Sequence, residues 1–122
     1  MTKMLLLSSI SNLTKKEVFL KVKEHLLLQN KQSWLPDHSG CAYLGEGGLK
    51  CAVGCLMTEE ELNSLTDEDQ IKVVATMIKF GKMDETHKIL LGRLQGIHDS
   101  YSPDNWESVL NSFEKYQLDK II

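Results

Sequence analysis

Apolar residues recur at helical spacing along much of the chain, and the pattern is clearest near its end. Trp106, Leu110 and Phe113 stand at i, i+4 and i+7, which places them on one face of a helix. Ser102 and Pro103 come just before, where a serine suits the N-cap and a proline suits the first turn. The segment therefore predicts an amphipathic helix with a buried apolar face.

Three earlier segments show the same periodicity, each behind a start signal. The first begins after Thr14, the second begins at Thr66 and ends at Gly81, and the third begins at Asp84 and Glu85, where negative charge suits the helix dipole. Two capping boxes, which satisfy free amides at a helix start, are formed by Thr14 with Glu17 and by Thr58 with Glu61. The apolar residues assigned to the buried faces are Val18, Val22, Leu26, Ile71, Val74, Met77, Ile78, Ile89, Leu90, Leu94 and Ile97.

Residues 41–51 have a different character. Two short apolar pieces, 41–44 and 49–51, flank a glycine-rich turn, and this arrangement is typical of a β-hairpin. Residues 1–12 are interpreted as a short strand or a loosely attached arm. The predicted fold is a single domain over residues 1–122, of the mostly helical α+β class, with about four main helices packed around one short β-hairpin.

Composition restricts the function. The 122 residues are 42% hydrophobic and 25% charged, typical of a globular protein, and the net charge of −3 gives no strong signal for nucleic-acid binding. The apolar run 4–7 is too short to span a membrane. An odd number of cysteines, three, fits poorly with a secreted disulfide scaffold, so we expect a cytoplasmic protein.

The cysteines raise the question of a metal. His38, Cys41, Cys51 and Cys55 follow the spacing H-x2-C-x9-C-x3-C and would supply the four nitrogen or sulfur donors that a structural zinc requires. The C-x3-C spacing is less diagnostic than paired C-x2-C knuckles, and free cysteines commonly pack as small apolar groups. No metal or cofactor is assigned on this pattern, and zinc stays open.

A nucleophilic site is the second alternative. If Cys51 follows a strand and opens a helix, the helix dipole favours its thiolate, and His98 would act as the base of a cysteine hydrolase or transferase. Asp99 is expected to orient His98 poorly, because adjacent side chains on a helix diverge by about 100°. The competing interpretation places Cys51 in the core.

An anion or nucleotide site is the third alternative. The turn 45–50 combines three glycines with Lys50 beside a predicted helix start, and backbone amides in such a turn can hold phosphate. The chain lacks both standard phosphate-loop motifs, and an ordinary hairpin turn accounts for the glycines as well. Trp34 lies in a polar loop and is a candidate partner anchor, because tryptophan is enriched at interface centres.

The motifs also carry a resemblance. A Cys-x-Tyr at Cys41 and Tyr43, Gly-Leu-Lys-Cys-Ala-Val-Gly over 48–54 and Leu-Gln-x-x-His-Asp over 94–99 resemble a group of small uncharacterised bacteriophage and prophage proteins. Met57-Thr58 departs from the Pro-Asp pair of many members. The resemblance implies a phage origin more than a mechanism. It also implies that the two motifs share one site, with binding residues Tyr43, Gly45, Gly47, Gly48, Lys50, Cys51, His98 and Asp99.

Two functions follow from these observations. The leading hypothesis is a non-enzymatic phage accessory protein that acts in the host cytoplasm as an anti-defence inhibitor. Its partner would be a host defence or regulatory protein or a nucleotide-like small molecule, and a homodimer is compatible with the sequence. The alternative is the small cysteine hydrolase or transferase that uses Cys51 and His98.

Overall fold

The structure is a computed structural model that describes residues 5–37 and 40–121. Within these residues the chain forms six α-helices: α1 Lys15–Gln29, α2 Glu59–Ser64, α3 Asp67–Gln70, α4 Val74–Lys79, α5 Lys88–Ser100 and α6 Pro103–Tyr116. Short 3-10 turns lie at Ser8–Ile10, Glu46–Gly48, Gly54–Leu56 and Leu118–Lys120. The long helices α1, α5 and α6 pack against one another, and α4 packs on α5.

The core is one hydrophobic cluster to which nearly every element contributes. Trp106, Leu110 and Phe113 of α6 are buried as their spacing predicted, and the Phe113 ring stacks on Phe19 of α1 with a centroid separation of 5.8 Å. Both predicted capping boxes are present, at Thr14 and at Thr58. The predictions of α1 and α6 are therefore confirmed. Two residues assigned to buried faces are exposed instead, Ile71 by 63% and Ile89 by 51%.

The predicted β-hairpin is wrong. No strand occurs in residues 5–37 or 40–121, and 41–51 make only isolated antiparallel bridges, Trp34 with Cys41 and Leu44 with Lys50. The single hydroxyl proton of Ser33 is shared between the carbonyls of Ala42, at 2.7 Å, and Leu49, at 3.0 Å, so a side chain occupies acceptors that a strand ladder would use. The mixed α+β class is replaced by a helical fold.

Two further expectations also need correction. The helix predicted from Thr66 to Gly81 is divided into α3 and α4, because tertiary contacts hold the connection 71–73: the Tyr43 hydroxyl donates to the Lys72 carbonyl at 2.6 Å. The β-branched Ile71 and Val73 favour this break. Helix α5 begins at Lys88, since Asp84 accepts from the Thr86 amide in the turn before it.

The N-terminal segment is neither a strand nor a loose arm where the structure describes it, from residue 5 onward. Leu6 and Leu7 are buried, and Leu6 forms one parallel bridge with Met83. Leu7 adopts the left-handed conformation with φ 66°, and its amide donates to the buried Glu61 carboxylate at 2.7 Å. These contacts tie residues 6 and 7 to α2 and to the turn before α5.

Candidate functional site

Residues 30–37 and 40–58 contain no α-helix, and we call them the irregular segment. A cavity of about 390 Å³ lies between residues 40–43 of this segment, residues 70–73 at the end of α3 and in the connection to α4, and helix α5. Helix α5 contributes Gln95 and Asp99, and the other walls include Tyr43 and Cys51. A second cavity of about 500 Å³ adjoins it along α5 and reaches Lys88 and Arg93. Both cavities share Val73, Gln95 and Asp99, and we call their union the Asp99 groove.

Glycines keep the α5 side of the groove open. Gly92 and Gly96 line the second cavity, and a Cβ atom added at either position would meet no atom within 4 Å. Ile71, Val73 and Ile89 line the groove, and at least half of each residue is exposed: 63%, 65% and 51%. The groove is therefore a concave surface with exposed apolar residues, with Lys72, Lys88 and Arg93 in its lining and with one carboxylate where its two parts meet.

His98 lies fully buried behind that carboxylate. The Ser33 amide donates to its Nε2 at 3.0 Å, so the neutral ring carries its proton on Nδ1. Nδ1 donates to Asp99 Oδ1 at 2.7 Å, and the Trp106 ring stacks on the imidazole at 5.5 Å. His98 thereby joins helix α5 to the irregular segment.

The expectation that Asp99 orients His98 poorly is wrong. Nδ1 is the ring nitrogen closest to the backbone, so a carboxylate on the next residue reaches it although the two Cβ directions diverge. Gln95, one turn earlier, donates from Nε2 to the same Asp99 oxygen at 2.8 Å and fixes the carboxylate.

Asp99 is held in its ionised form. Burial opposes ionisation, but hydrogen bonds from His98, Cys41 and Gln95 outweigh it and lower the pKa of the Asp99 carboxyl. The side chain is nevertheless 43% exposed, so a partner can reach it.

The cysteine thiols are held in their protonated form. Burial raises the pKa of Cys51 to about 12, although the Gly54 amide donates to its sulfur. Burial and the hydrogen bond to Asp99 raise the pKa of Cys41 to about 12, and burial does the same for Cys55. Cys51 is followed by a 3-10 turn at Gly54–Leu56 instead of the helix start expected to activate it.

The His98 hydrogen bonds also bear on metal binding. Cys41, His98 and Asp99 place one donor atom each within 4.8 Å of one another, the one such group among the described residues. A metal on His98 Nδ1 would move the proton to Nε2, which would then face the Ser33 amide proton. His98 is thus a poor ligand, and two donors remain. His38, from the zinc spacing considered above, lies outside the described residues.

The glycine turn is closed by its own hydrogen bonds. The Gly45 amide donates to Leu49, the Glu46 amide to Trp34 and the Gly48 amide to Gly45, so these donors do not form an anion cradle. Gly47 and Gly48 have φ of 73° and 78°, which explains the choice of glycine at both positions.

The structure divides the predicted binding residues into two groups. Tyr43, Cys51 and Asp99 line the Asp99 groove with His98 behind them. Gly45, Gly47, Gly48 and Lys50 lie outside its lining, and the Lys50 ammonium is 3.4 Å from Glu59. Trp34, the proposed partner anchor, is half-buried.

Gln95 and the connection 71–73 were missed as site residues. Gln95 stands four residues before Asp99, and this Gln-to-Asp spacing on a helix is a sequence signal for the pair. The exposure of Ile71 and Val73 had no such signal, because it depends on the break between α3 and α4.

Comparison of the chain with protein-family models, with curated proteins and with solved structures finds no significant match. No helix in the described part of the chain combines the length and apolar character needed to cross a membrane.

Proposed function

We propose that this chain is a non-enzymatic binding protein that engages a partner protein through the Asp99 groove. The observation that carries the proposal is an ionised, partly exposed carboxylate at the junction of two cavities that also present exposed apolar residues. Concave apolar surfaces with a few fixed polar groups are typical of binding sites.

The chemistry of the same residues favours a binder over the cysteine hydrolase. A nucleophilic cysteine needs an accessible thiolate and a base with a free lone pair. Cys51 is buried with a raised pKa, and the Nε2 lone pair of His98 already accepts from Ser33. The internal hydrogen bonds of the glycine turn likewise weigh against a nucleotide-like ligand there.

The resemblance to phage proteins supports a host component as the partner. In this proposal the chain acts in the host cytoplasm as an accessory protein that blocks a defence or regulatory protein. Inhibition would follow if the groove covers a segment that the host protein needs for its own contacts.

Thiol alkylation separates the two functions. With a pKa of about 12, only about one thiol in a hundred thousand is ionised at pH 7. We therefore expect iodoacetamide to modify each cysteine of the folded chain no faster than free cysteine. A Cys51 that reacts faster than free cysteine would overturn the binder proposal in favour of the enzyme.

Partner capture tests the groove directly. Gly96→Gln would place a side chain in the open part of the groove, and a glycine replaced within a helix does not lose helix propensity. We expect immobilised wild-type chain to retain at least one protein from bacterial lysate that Gly96→Gln does not retain. Glu107→Gln, on the exposed face of α6, is the matched control. A protein set unchanged by Gly96→Gln would contradict the proposed groove.

A further inference from the structure

The residues that line the Asp99 groove indicate which chemical class of partner segment it would bind. This inference rests on the proposed binding function. We infer that the groove receives a segment of a partner protein that places an arginine or lysine side chain on Asp99, between apolar residues.

The ionised carboxylate of Asp99 favours a basic group in the partner. Asp99 is held ionised by donors from three side chains, and it lines both cavities. A carboxylate fixed in this way binds a guanidinium or ammonium group by charge-assisted hydrogen bonds and needs little reorganisation to do so. Lys72 lines the same cavity as Asp99, but its ammonium already pairs with Glu68 at 3.5 Å. An acidic group placed on Asp99 would be repelled by the carboxylate.

The apolar residues of the groove favour a polypeptide over a small cation. Apolar residues line the groove in exposed positions: at least half of each of Ile71, Val73 and Ile89 is accessible to solvent. A small cation inside the cavity would leave these side chains in water. A polypeptide with apolar residues on both sides of its basic residue would cover them, and that burial supplies hydrophobic free energy in addition to the ion pair.

The charges along α5 favour one direction for the bound segment. Lys88 and Arg93 line the far part of the groove, whereas Asp99 lies at the junction. A rise of about 1.5 Å per residue puts about 9 Å along the helix between Arg93 and Asp99. A segment with its basic residue on Asp99 and an acidic residue toward Arg93 complements both charges, so the groove fixes the direction of the bound segment.

A display experiment tests the inference with a defined probe. An mRNA-displayed library of random peptides, about a dozen residues long, is selected in parallel on the full wild-type chain, Asp99→Asn, Gly96→Gln and Glu107→Gln. We expect the wild type and Glu107→Gln to enrich peptides with an arginine or lysine between apolar residues. Binding of those peptides to Asp99→Asn should be about ten- to a hundredfold weaker.

Asparagine at position 99 can still accept from His98, and a thermal melt checks that the variant folds. Replacing the basic residue of an enriched peptide with glutamine tests the same contact without altering the protein, and we expect a similar loss.

The outcomes distinguish failure of the basic-residue inference from failure of the proposed groove. Peptides that lack a basic residue, bind Asp99→Asn as tightly as wild type and are lost on Gly96→Gln would overturn the basic-residue inference while keeping the groove. Selection that yields no peptide sensitive to Gly96→Gln would overturn the proposed groove and the inference with it.

Discussion

Helices α5 and α6 pack through side chains spaced by the helical repeat, whereas the irregular segment, residues 30–37 and 40–58, is held by individual hydrogen bonds and close backbone approaches. On the two helices Leu90, Leu94 and Leu110 are almost completely buried and continue a regular stripe. In the irregular segment Ser33 is equally buried, yet it is polar and bonds to the carbonyls of Ala42 and Leu49.

Contacts from helix side chains hold the irregular segment in place. Gln29 of α1 accepts from the Lys50 amide and donates to the Lys50 carbonyl, and Gln95 of α5 accepts from the Val53 amide. His98 accepts from Ser33. Each contact satisfies a backbone group that a strand ladder would otherwise satisfy. The helices therefore supply the frame, and the irregular segment depends on particular polar residues of that frame.

The largest effect should come from the helical region. Trp106→Ala removes a fully buried ring that stacks on His98, and we expect a loss of about 3–5 kcal/mol in the free energy of unfolding. Lys16→Ala, on an exposed position of α1, should change it by less than about 0.5 kcal/mol. Urea unfolding measures both values, and similar losses for the two variants would contradict the core assignment.

The irregular segment should respond to a change as small as one methyl group. A Cβ atom at Gly54 would lie 1.9 Å from the Tyr43 carbonyl oxygen, so Gly54→Ala should cost about 1–3 kcal/mol through forced backbone movement. Gly40→Ala is the matched control in the same segment, because its added Cβ meets no atom within 4 Å. Equal melting temperatures for the two variants would show that 43 and 54 do not approach closely.

The long helices could be predicted from the sequence, whereas the irregular segment could not. The stripe of α6 and the capping boxes at Thr14 and Thr58 depend on residues three or four apart, which a single sequence displays. The hydrogen bond between the Ser33 amide and His98 Nε2 joins residues 65 positions apart. It holds part of the irregular segment where a hairpin was expected nearby. The closeness of Cys41, His98 and Asp99 follows from that bond and from the packing of α5, so spacing alone could not predict it.

The smallest predicted effect concerns Asp99, which connects the two regions. The folded-state pKa of its carboxyl is lowered below the unfolded value of about 3.9, so its contribution to stability is fully present above that pH. The contribution disappears as the pH falls through the lower folded-state pKa. Because the side chain is 43% exposed and solvent screens it, we expect Asp99→Asn to cost less than about 1 kcal/mol near neutral pH. Urea unfolding of both proteins between about pH 6 and pH 3 should show this difference shrinking toward the acid end. A difference that grows on acidification would mean that Asp99 is not held ionised by His98, Cys41 and Gln95, and the irregular segment would then be anchored without it.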